Sequence, residues 1–451
     1  MKKIFPILLV LLALSACKNE VDNIFGDSAA ERLNKTQAKY EKMLVASKYG
    51  WAFEYYPTAS ADDGALLYAL YFDKDGSVTV AGDPKKTGNV KSITSCWDII
   101  TDNGPTLSFS TYNDLIHQFA DPMDDGSGSE GDYEFSFVYS TTEDPDSVIM
   151  LKGKKRGLYS RLKMIDEDLS PEEYLNDCTG KLYELFPDKT RNYVLLNIGD
   201  EEYRIDNMYT TVAEFYPYGK DKVLYAEANS FIFVKYGGRY YARFNKPFKT
   251  KDGSKSETRF VYEPANHRLV GVNDPGITIV PPRMARFFVD ELLGKNGMIK
   301  TATILRNSMK SDSFAAIWNT ASAALSKKNY TLNGCEFSTT YATNDYNCVV
   351  ALRYKPKTGA EKSVYYTYNL SLDNDIATIK YVGPYNAGAE TLLTNVPECE
   401  PLLRAIEGNY TVENPNTDML LVVKNTINLV SADSDKAFNL NVSYREEQQR
   451  N

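Results

Sequence analysis

Histidine is scarce in this chain of 451 residues, which has only His117 and His267. The chain also has no HExxH zinc motif, no Walker phosphate loop and no GxSxG nucleophile elbow. These absences argue against zinc proteases, P-loop nucleotide hydrolases and serine hydrolases of the α/β type. Because the two histidines fall in different predicted lobes, the sequence offers no histidine-based catalytic group, and we expect a protein that is not an enzyme.

Cysteine is also scarce. Of the six cysteines, Cys17 lies in the N-terminal segment, which leaves an odd number for the body of the chain. This count excludes a dense disulfide framework, and no CxxC spacing indicates a structural zinc site. Cys335 and Cys348 flank a predicted hairpin, where a disulfide and two buried thiols both remain open. We expect no cofactor.

Long apolar runs and basic surfaces are missing. After the first residues, no apolar stretch approaches the length of about 20 residues that spans a bilayer. The formal charge is −9, and the single basic cluster, Lys152 to Arg156, contains Gly153 and precedes Gly157, as in a hairpin turn. We therefore expect no nucleic-acid partner, because such a partner favours a concentrated basic surface.

The N-terminal residues have the pattern of an export signal. Lys2 and Lys3 precede an apolar segment that closes with Leu14-Ser15-Ala16 before Cys17. This order is typical of a secretory signal and resembles a bacterial lipobox, which implies a signal peptide at 1–16, fatty acylation of Cys17 and a tether at 17–27. An uncleaved anchor and a plain secreted protein are the alternatives. The prediction is a lipoprotein of the cell envelope, held in the outer membrane and exposed at the surface.

Two capping boxes organise the rest of the chain. Ser28 to Glu31 and Ser170 to Glu173 each place serine at a helix start and glutamate three residues later. Alternating strand patterns follow each one. We therefore predict a β-rich α+β fold of two or three lobes, each a capped helix followed by an antiparallel, twisted or barrel-like sheet. The predicted lobes are 28–165, 166–297 and 298–451.

One internal run is distinctive. Residues 107–122 read LSFSTYNDLIHQFADP, after the segment TDNGP at 101–105. Together with the lipobox and the segment from Phe25 to Leu33, this run resembles the exported Bacteroidota lipoproteins catalogued as domain-of-unknown-function family 4302. The resemblance implies no known reaction. It does imply an accessory role beside an outer-membrane porter and a SusD-like lipoprotein in a nutrient-uptake locus.

Three sets of residues are candidate sites. His117 lies in a predicted helix beside Asn113 and Asp114, where it is either a ligand contact or a structural histidine. A second set flanks the turn at Gly237 and Gly238, and comprises Tyr236, Arg239, Tyr240 and Tyr241. The third is an acidic, glycine-rich loop whose oxygens suit calcium, and comprises Asp121, Asp124, Asp125, Glu130 and Asp132.

The sequence thus predicts a lipid-anchored, non-catalytic protein that captures glycan or peptide for an outer-membrane uptake system. Tyrosine supports this reading, since 33 copies are present and an exposed tyrosine can stack on a sugar ring or grip a peptide. Two alternatives remain. One is a hydrolase with a cryptic pair of carboxylates, which is all that glycosidase chemistry requires. The other is a purely structural envelope protein.

Overall fold

The first described helix, α1 (Ala29–Ala46), begins at the predicted capping box. In this computed structural model the Ser28 hydroxyl accepts the Glu31 N–H at 3.2 Å, and the Glu31 carboxylate accepts the Ser28 N–H at 2.8 Å. The described residues are 27–58, 64–83, 89–120, 131–138, 147–186, 193–206, 208, 211–217, 227–293, 299–339, 341–413 and 426–444. The predicted signal peptide and Cys17 lie outside them.

The sequence pattern predicts that the first helix ends at Gly50, and this prediction is wrong. The helix ends at Ala46, and Gly50 instead precedes the first strand with φ +89°. A Cβ at this position would lie 2.4 Å from the Leu70 carbonyl oxygen. Glycine is therefore required here both by the positive φ and by the close approach of a neighbouring strand.

Nine antiparallel strands form the first sheet. They are β1 (Trp51–Tyr55), β2 (Leu66–Phe72), β3 (Ser77–Gly82), β4 (Lys91–Cys96), β5 (Asp98–Thr101), β6 (Pro105–Ser108), β7 (Glu134–Val138), β8 (Val148–Gly153) and β9 (Tyr159–Met164). Their order is β4-β3-β2-β1-β9-β8-β7-β6-β5. A one-turn helix, α2 (Asp114–His117), follows β6. All five residues of the central strand β1 are buried.

The two edge strands of this sheet, β4 and β5, are consecutive in the chain. Only Trp97 separates β4 from β5, although the sequence pattern predicts one strand from Ile93 to Ile100. The Trp97 N–H donates to the Gly76 carbonyl at 3.0 Å, and the Ser110 N–H donates to the Cys96 carbonyl. The chain therefore passes from one sheet edge to the other across a single residue.

The second sheet is a closed barrel that follows α3 (Pro171–Leu185). Its strands are β10 (Tyr193–Ile198), β11 (Glu201–Asp206), β12 (Val212–Pro217), β13 (Glu227–Tyr236), β14 (Arg239–Lys249), β15 (Ser256–Glu263), β16 (Arg268–Gly271) and β17 (Thr278–Val280). The predicted capping box at Ser170 begins α3. Leu182 and Leu185 of this helix join Phe231 and Phe233 in the barrel core.

The third sheet is also a closed barrel. Its strands are β18 (Ile299–Ile304), β19 (Tyr330–Ser338), β20 (Cys348–Pro356), β21 (Lys362–Asp373), β22 (Ile376–Pro384), β23 (Gly408–Glu413), β24 (Thr426–Ser431) and β25 (Ala437–Tyr444). The helices that accompany it are α4 (Met284–Leu293), α5 (Asp312–Lys327), α6 (Ala387–Asn395) and α7 (Cys399–Ala405). Buried residues of these helices belong to the same core as the inward side chains of the barrel.

The chain divides into two compact units. The first comprises residues 1–59 and 66–175, and the second comprises residues 60–65 and 176–451. The predicted β-rich α+β fold with antiparallel, barrel-like sheets is confirmed. That residues 28–165, 166–297 and 298–451 form separate lobes stays a prediction. Among the described residues, every helix is too short or too polar to cross a bilayer.

The cysteines of the described residues are free thiols. Cys335 and Cys348, for which a disulfide and separate thiols were both open from the sequence, are unpaired and buried in the third barrel. Burial raises the pKa of Cys348 and of Cys399 to about 12, and it also raises the pKa of Cys335. Cys96 is the exposed member of the described set.

This difference predicts the pattern of thiol labelling. A brief exposure of the native protein to a maleimide should modify Cys96 and leave Cys178, Cys335, Cys348 and Cys399 unmodified, because the attacking thiolate must be both present and accessible. Peptide mass spectrometry checks the sites, and Cys96→Ser is the control. Modification of Cys335 or Cys348 without denaturant would contradict the prediction.

Candidate ligand-binding site

Four tyrosines of the third barrel meet in one cluster, which we call the tyrosine patch: Tyr341, Tyr346, Tyr365 and Tyr385. The ring centroid of Tyr341 lies 4.9 Å from that of Tyr365 and 5.5 Å from that of Tyr385. Tyr346 and Tyr365 lie 6.3 and 6.2 Å from Tyr385. Tyr341 is 40 % exposed and Tyr385 is 38 % exposed. The patch therefore presents aromatic surface and phenol hydroxyls to solvent.

Strand register assembles this patch. Tyr365 lies on β21, opposite Ala351 of β20, with its side chain on the outward face, since its neighbours Tyr366 and Val364 belong to the core. Tyr385 directly follows β22, and its N–H donates to the Tyr365 carbonyl at 2.9 Å. The patch leaves no local signal in the sequence, because Tyr341, Tyr365 and Tyr385 are far apart in the chain.

The loop that carries Tyr341 and Tyr346 is fastened to the barrel. The Asn347 amide donates from Nδ2 to the Leu370 carbonyl and accepts the Leu370 N–H, both at 2.8 Å. The Asn369 side chain donates to the Asp345 carbonyl at 3.2 Å. These bonds hold the loop against β21, so the aromatic rings are placed before any ligand arrives.

The charged groups beside the patch are paired with one another. Burial, a hydrogen bond with Tyr341 and the charge of Glu336 raise the pKa of Tyr365, which keeps its hydroxyl protonated at neutral pH. Arg353, on β20, pairs with Glu336 at 2.7 Å and with Glu361 at 2.9 Å. One guanidinium is therefore shared by two carboxylates, and, besides this hydrogen bond, the charge of Lys355 also lowers the pKa of Glu361.

The predicted contact cluster at the β13–β14 hairpin is divided between two faces. Tyr240 joins the barrel core, and its hydroxyl donates to Asp177 of α3 at 2.9 Å. Tyr236 and Tyr241 lie on the opposite face, with ring centroids 5.7 Å apart, and the register places Arg239 beside Tyr236. The hairpin and its turn are as predicted, but Tyr240 supports the barrel and is not grouped with the other three.

His117 is buried in α2 between two exposed tyrosines. Its ring stacks on Tyr133 at 4.7 Å and lies 5.1 Å from Tyr112, while Nδ1 is 3.1 Å from the Asn113 nitrogen. The sequence pattern predicts a helix from Tyr112 to Phe119, but the structure has a single turn, Asp114–His117. The structure therefore gives His117 a packing and hydrogen-bonding position, and its use as a ligand contact stays a prediction.

Asn113 should be the critical residue of this segment. Its side chain accepts the Leu115 N–H at 3.0 Å, donates to Ser95 Oγ at 3.1 Å, and is fully buried. We expect Asn113→Ala to lower the free energy of unfolding by about 1–3 kcal/mol, because it removes a helix cap and leaves buried polar groups without their partner. Chemical denaturation measures this, and Asp114→Ala, at an exposed neighbour, is the control. Equal effects of both variants would contradict the assignment.

Most of the predicted calcium loop, namely Asp121, Asp124, Asp125 and Glu130, lies outside the described residues. Asp132 is described and buried, and its carboxylate accepts the backbone N–H groups of Lys155 and Arg156 in the β8–β9 turn. Burial raises the pKa of Asp132. Within the described ranges, no three acidic, histidine or cysteine side chains cluster as metal ligands. The calcium site stays a prediction.

A polar cleft of about 510 Å³ lies in the first unit. It is lined by Lys48, Tyr49, Tyr71, Asp168, Leu169, Ser170, Pro171 and Glu173. Lys48 Nζ donates to the Tyr49 hydroxyl at 2.7 Å. The first turn of α3 at this cleft is already capped by Glu173, whose carboxylate accepts the Ser170 N–H and hydroxyl. The capping box therefore occupies the start of α3 at this cleft.

Comparison with known proteins gives a family and no reaction. A family model described as "Domain of unknown function (DUF4302)" matches residues 21–263, which is just over half of the chain. No curated protein sequence matches the chain.

Matches among solved structures are weak. One is the DNA polymerase sliding clamp from Pseudomonas aeruginosa, 9 % identical, covering 92 % of this chain and 98 % of that chain with a TM-score of 0.12. Another is the beta subunit of DNA polymerase from Streptococcus pyogenes, 9 % identical, covering 91 % and 98 % with a TM-score of 0.11. At such TM-scores the likeness carries no argument about fold or function.

Proposed function

The chain belongs to the family described as Domain of unknown function (DUF4302), and from that premise we propose that it is a lipid-anchored, non-catalytic capture protein of the cell envelope. It holds an extracellular glycan or peptide and passes it to an outer-membrane uptake system. The observation that carries the proposal is the tyrosine patch. Exposed, preorganised tyrosines bind amphipathic ligands with little loss of conformational entropy.

The tether rests on the N-terminal sequence. Residues 1–16 have the order of a signal peptide, and Cys17 stands where a lipobox cysteine is acylated. Each buried methylene contributes about 0.8 kcal/mol to membrane binding, so two or more acyl chains hold a protein stably. The proposal therefore needs no membrane-spanning helix in the body of the chain.

The partners are proposed on the resemblance alone. An outer-membrane porter would import the captured ligand, and a SusD-like lipoprotein would share its handling. A capture protein needs no catalytic group, in keeping with the scarcity of histidine.

Native membranes provide the test. Mass spectrometry of the purified protein should find an acylated N-terminal Cys17, and purification under mild detergent should recover a porter subunit. Protease added to intact cells should digest the protein at the surface. The Cys17→Ala variant, which has the same folded body, is the control and should lose all three properties. An unmodified thiol at Cys17, or a protein that purifies alone and is protected from protease, would overturn the proposal.

A further inference from the structure

The tyrosine patch has a chemistry that selects among extracellular polymers, and we infer that its ligand is an uncharged oligosaccharide. The inference deepens the proposed capture function and rests on it. Three properties of the third barrel carry it, namely the closure of the sheet, the charge beside the patch and the extent of the aromatic surface.

Closure of the sheet disfavours an extended peptide. A peptide commonly binds a sheet by adding a strand to a free edge, where the main-chain hydrogen bonds supply affinity. Each strand from β18 to β25 already has two neighbours, including the closing pair of β18 with β25. The described strands of this barrel therefore offer no free edge at the patch, and we expect a ligand to be recognised chiefly by the tyrosine rings and hydroxyls.

Charge disfavours an anionic polymer. Arg353, on the strand next to Tyr365, is held by Glu336 and Glu361, so its guanidinium is already satisfied. A uronate or sulfate group would therefore have to compete with these two carboxylates for the guanidinium. Tyrosine hydroxyls remain neutral at physiological pH and can both donate and accept hydrogen bonds. Neutral hydroxyl groups on the ligand match them.

The extent of the patch favours more than one sugar ring. Each pyranose has an apolar C–H face that packs on an aromatic ring, and hydroxyls at its rim that reach neighbouring polar groups. The two exposed rings, Tyr341 and Tyr385, have centroids 5.5 Å apart and planes inclined by 42°, and the other two rings meet Tyr385 edge to face. Because the two exposed rings do not share a plane, one pyranose cannot stack on both, so we expect a short chain to bind better than a monosaccharide.

The test uses the full-length body without the signal peptide, and an array of uncharged hexasaccharides of glucose, mannose, galactose and xylose. Hexagalacturonate is the anionic probe and a neutral ten-residue peptide is the peptide probe. Calorimetry on the best uncharged hit should give a Kd roughly tenfold or more weaker for the Tyr341→Ala/Tyr385→Ala double variant. Tyr159→Ala, at a tyrosine that is 56 % exposed outside the patch, is the matched control and should bind normally.

The outcomes separate this inference from the capture function. Tyr341→Phe and Tyr385→Phe keep the aromatic rings and should retain most of the affinity. They are the second test if the double variant folds poorly. Tighter binding of hexagalacturonate or the peptide, lost in the double variant, would overturn the uncharged class while capture stands. Binding of an uncharged glycan that the double variant leaves unchanged would overturn the site. Failure of every uncharged glycan to bind would overturn the inference, whereas the proposed function is judged separately on acylation, porter recovery and surface exposure.

Discussion

Trp318→Ala is expected to lower the free energy of unfolding of the second unit by about 3–5 kcal/mol. Trp318 lies on α5, is 1 % exposed, and shares a core with Phe314 and Leu325 of the same helix. Phe314 stacks on Phe438 of β25 at 4.8 Å, so α5 is packed against the strand that closes the barrel. Removing the indole leaves a large cavity that the closed sheet cannot collapse to fill.

Calorimetry and denaturant unfolding followed by circular dichroism measure this loss, because both report on the whole second unit. The control is Asn319→Ala, at the next, exposed position of α5, which should change the free energy of unfolding by no more than about 0.5 kcal/mol. A Trp318→Ala protein as stable as this control would show that α5 does not anchor the barrel core.

The second large effect is expected in the first unit, at a buried ion pair. Glu54 Oε1 of β1 lies 2.5 Å from Arg161 Nη1 of β9, with 1 % and 7 % of the side chains exposed. Glu54→Leu should cost about 3–5 kcal/mol, because it leaves the buried Arg161 guanidinium without this carboxylate. Glu54→Leu/Arg161→Met should recover most of the loss, since an apolar pair of similar volume has no charge to desolvate.

Denaturant unfolding of the single and double variants checks this pair. Asp27→Asn is the control in the same unit, because it breaks the exposed pair of Asp27 with Lys35 and should cost less than about 1 kcal/mol. If the single variant cost no more than the control, or if the double variant were no better than the single one, the pair would not be a source of buried-charge penalty.

Local patterns predicted much of the fold. The sequence pattern predicts a strand from Tyr193 to Ile198 and a helix from Met284 to Leu293, and the structure has both with these bounds. Apolar spacing and the flanking proline and glycine residues agree at these places. The pattern failed at β11, which begins Glu201-Glu202 and looks like a loop, yet pairs with β10 over six residues. Long-range pairing overrides local composition at such strands.

The candidate site was beyond such patterns. Tyr236 and Tyr241 could be grouped from the sequence because a two-residue turn fixes their register. The patch at Tyr341 and Tyr385 depends on the β20–β21 and β21–β22 registers and on the Asn347 side chain, none of which leaves a local signal. Glu54 was equally hidden, since its alternation with Phe53 and Tyr55 suggests a solvent-facing side chain, whereas β1 is buried throughout.

The strand order of the two barrels makes the closure of each sheet depend on its last strand. In each barrel of the second unit, every strand pairs with the next strand in the chain, and the last strand pairs with the first. In the third barrel, which begins at Ile299, the strand at residues 437–444 closes the sheet by pairing with β18. A chain cut before Ala437 would leave β18 and β24 with bare edges that can template association with another copy. Protection of these two edges therefore depends on the eight residues of β25.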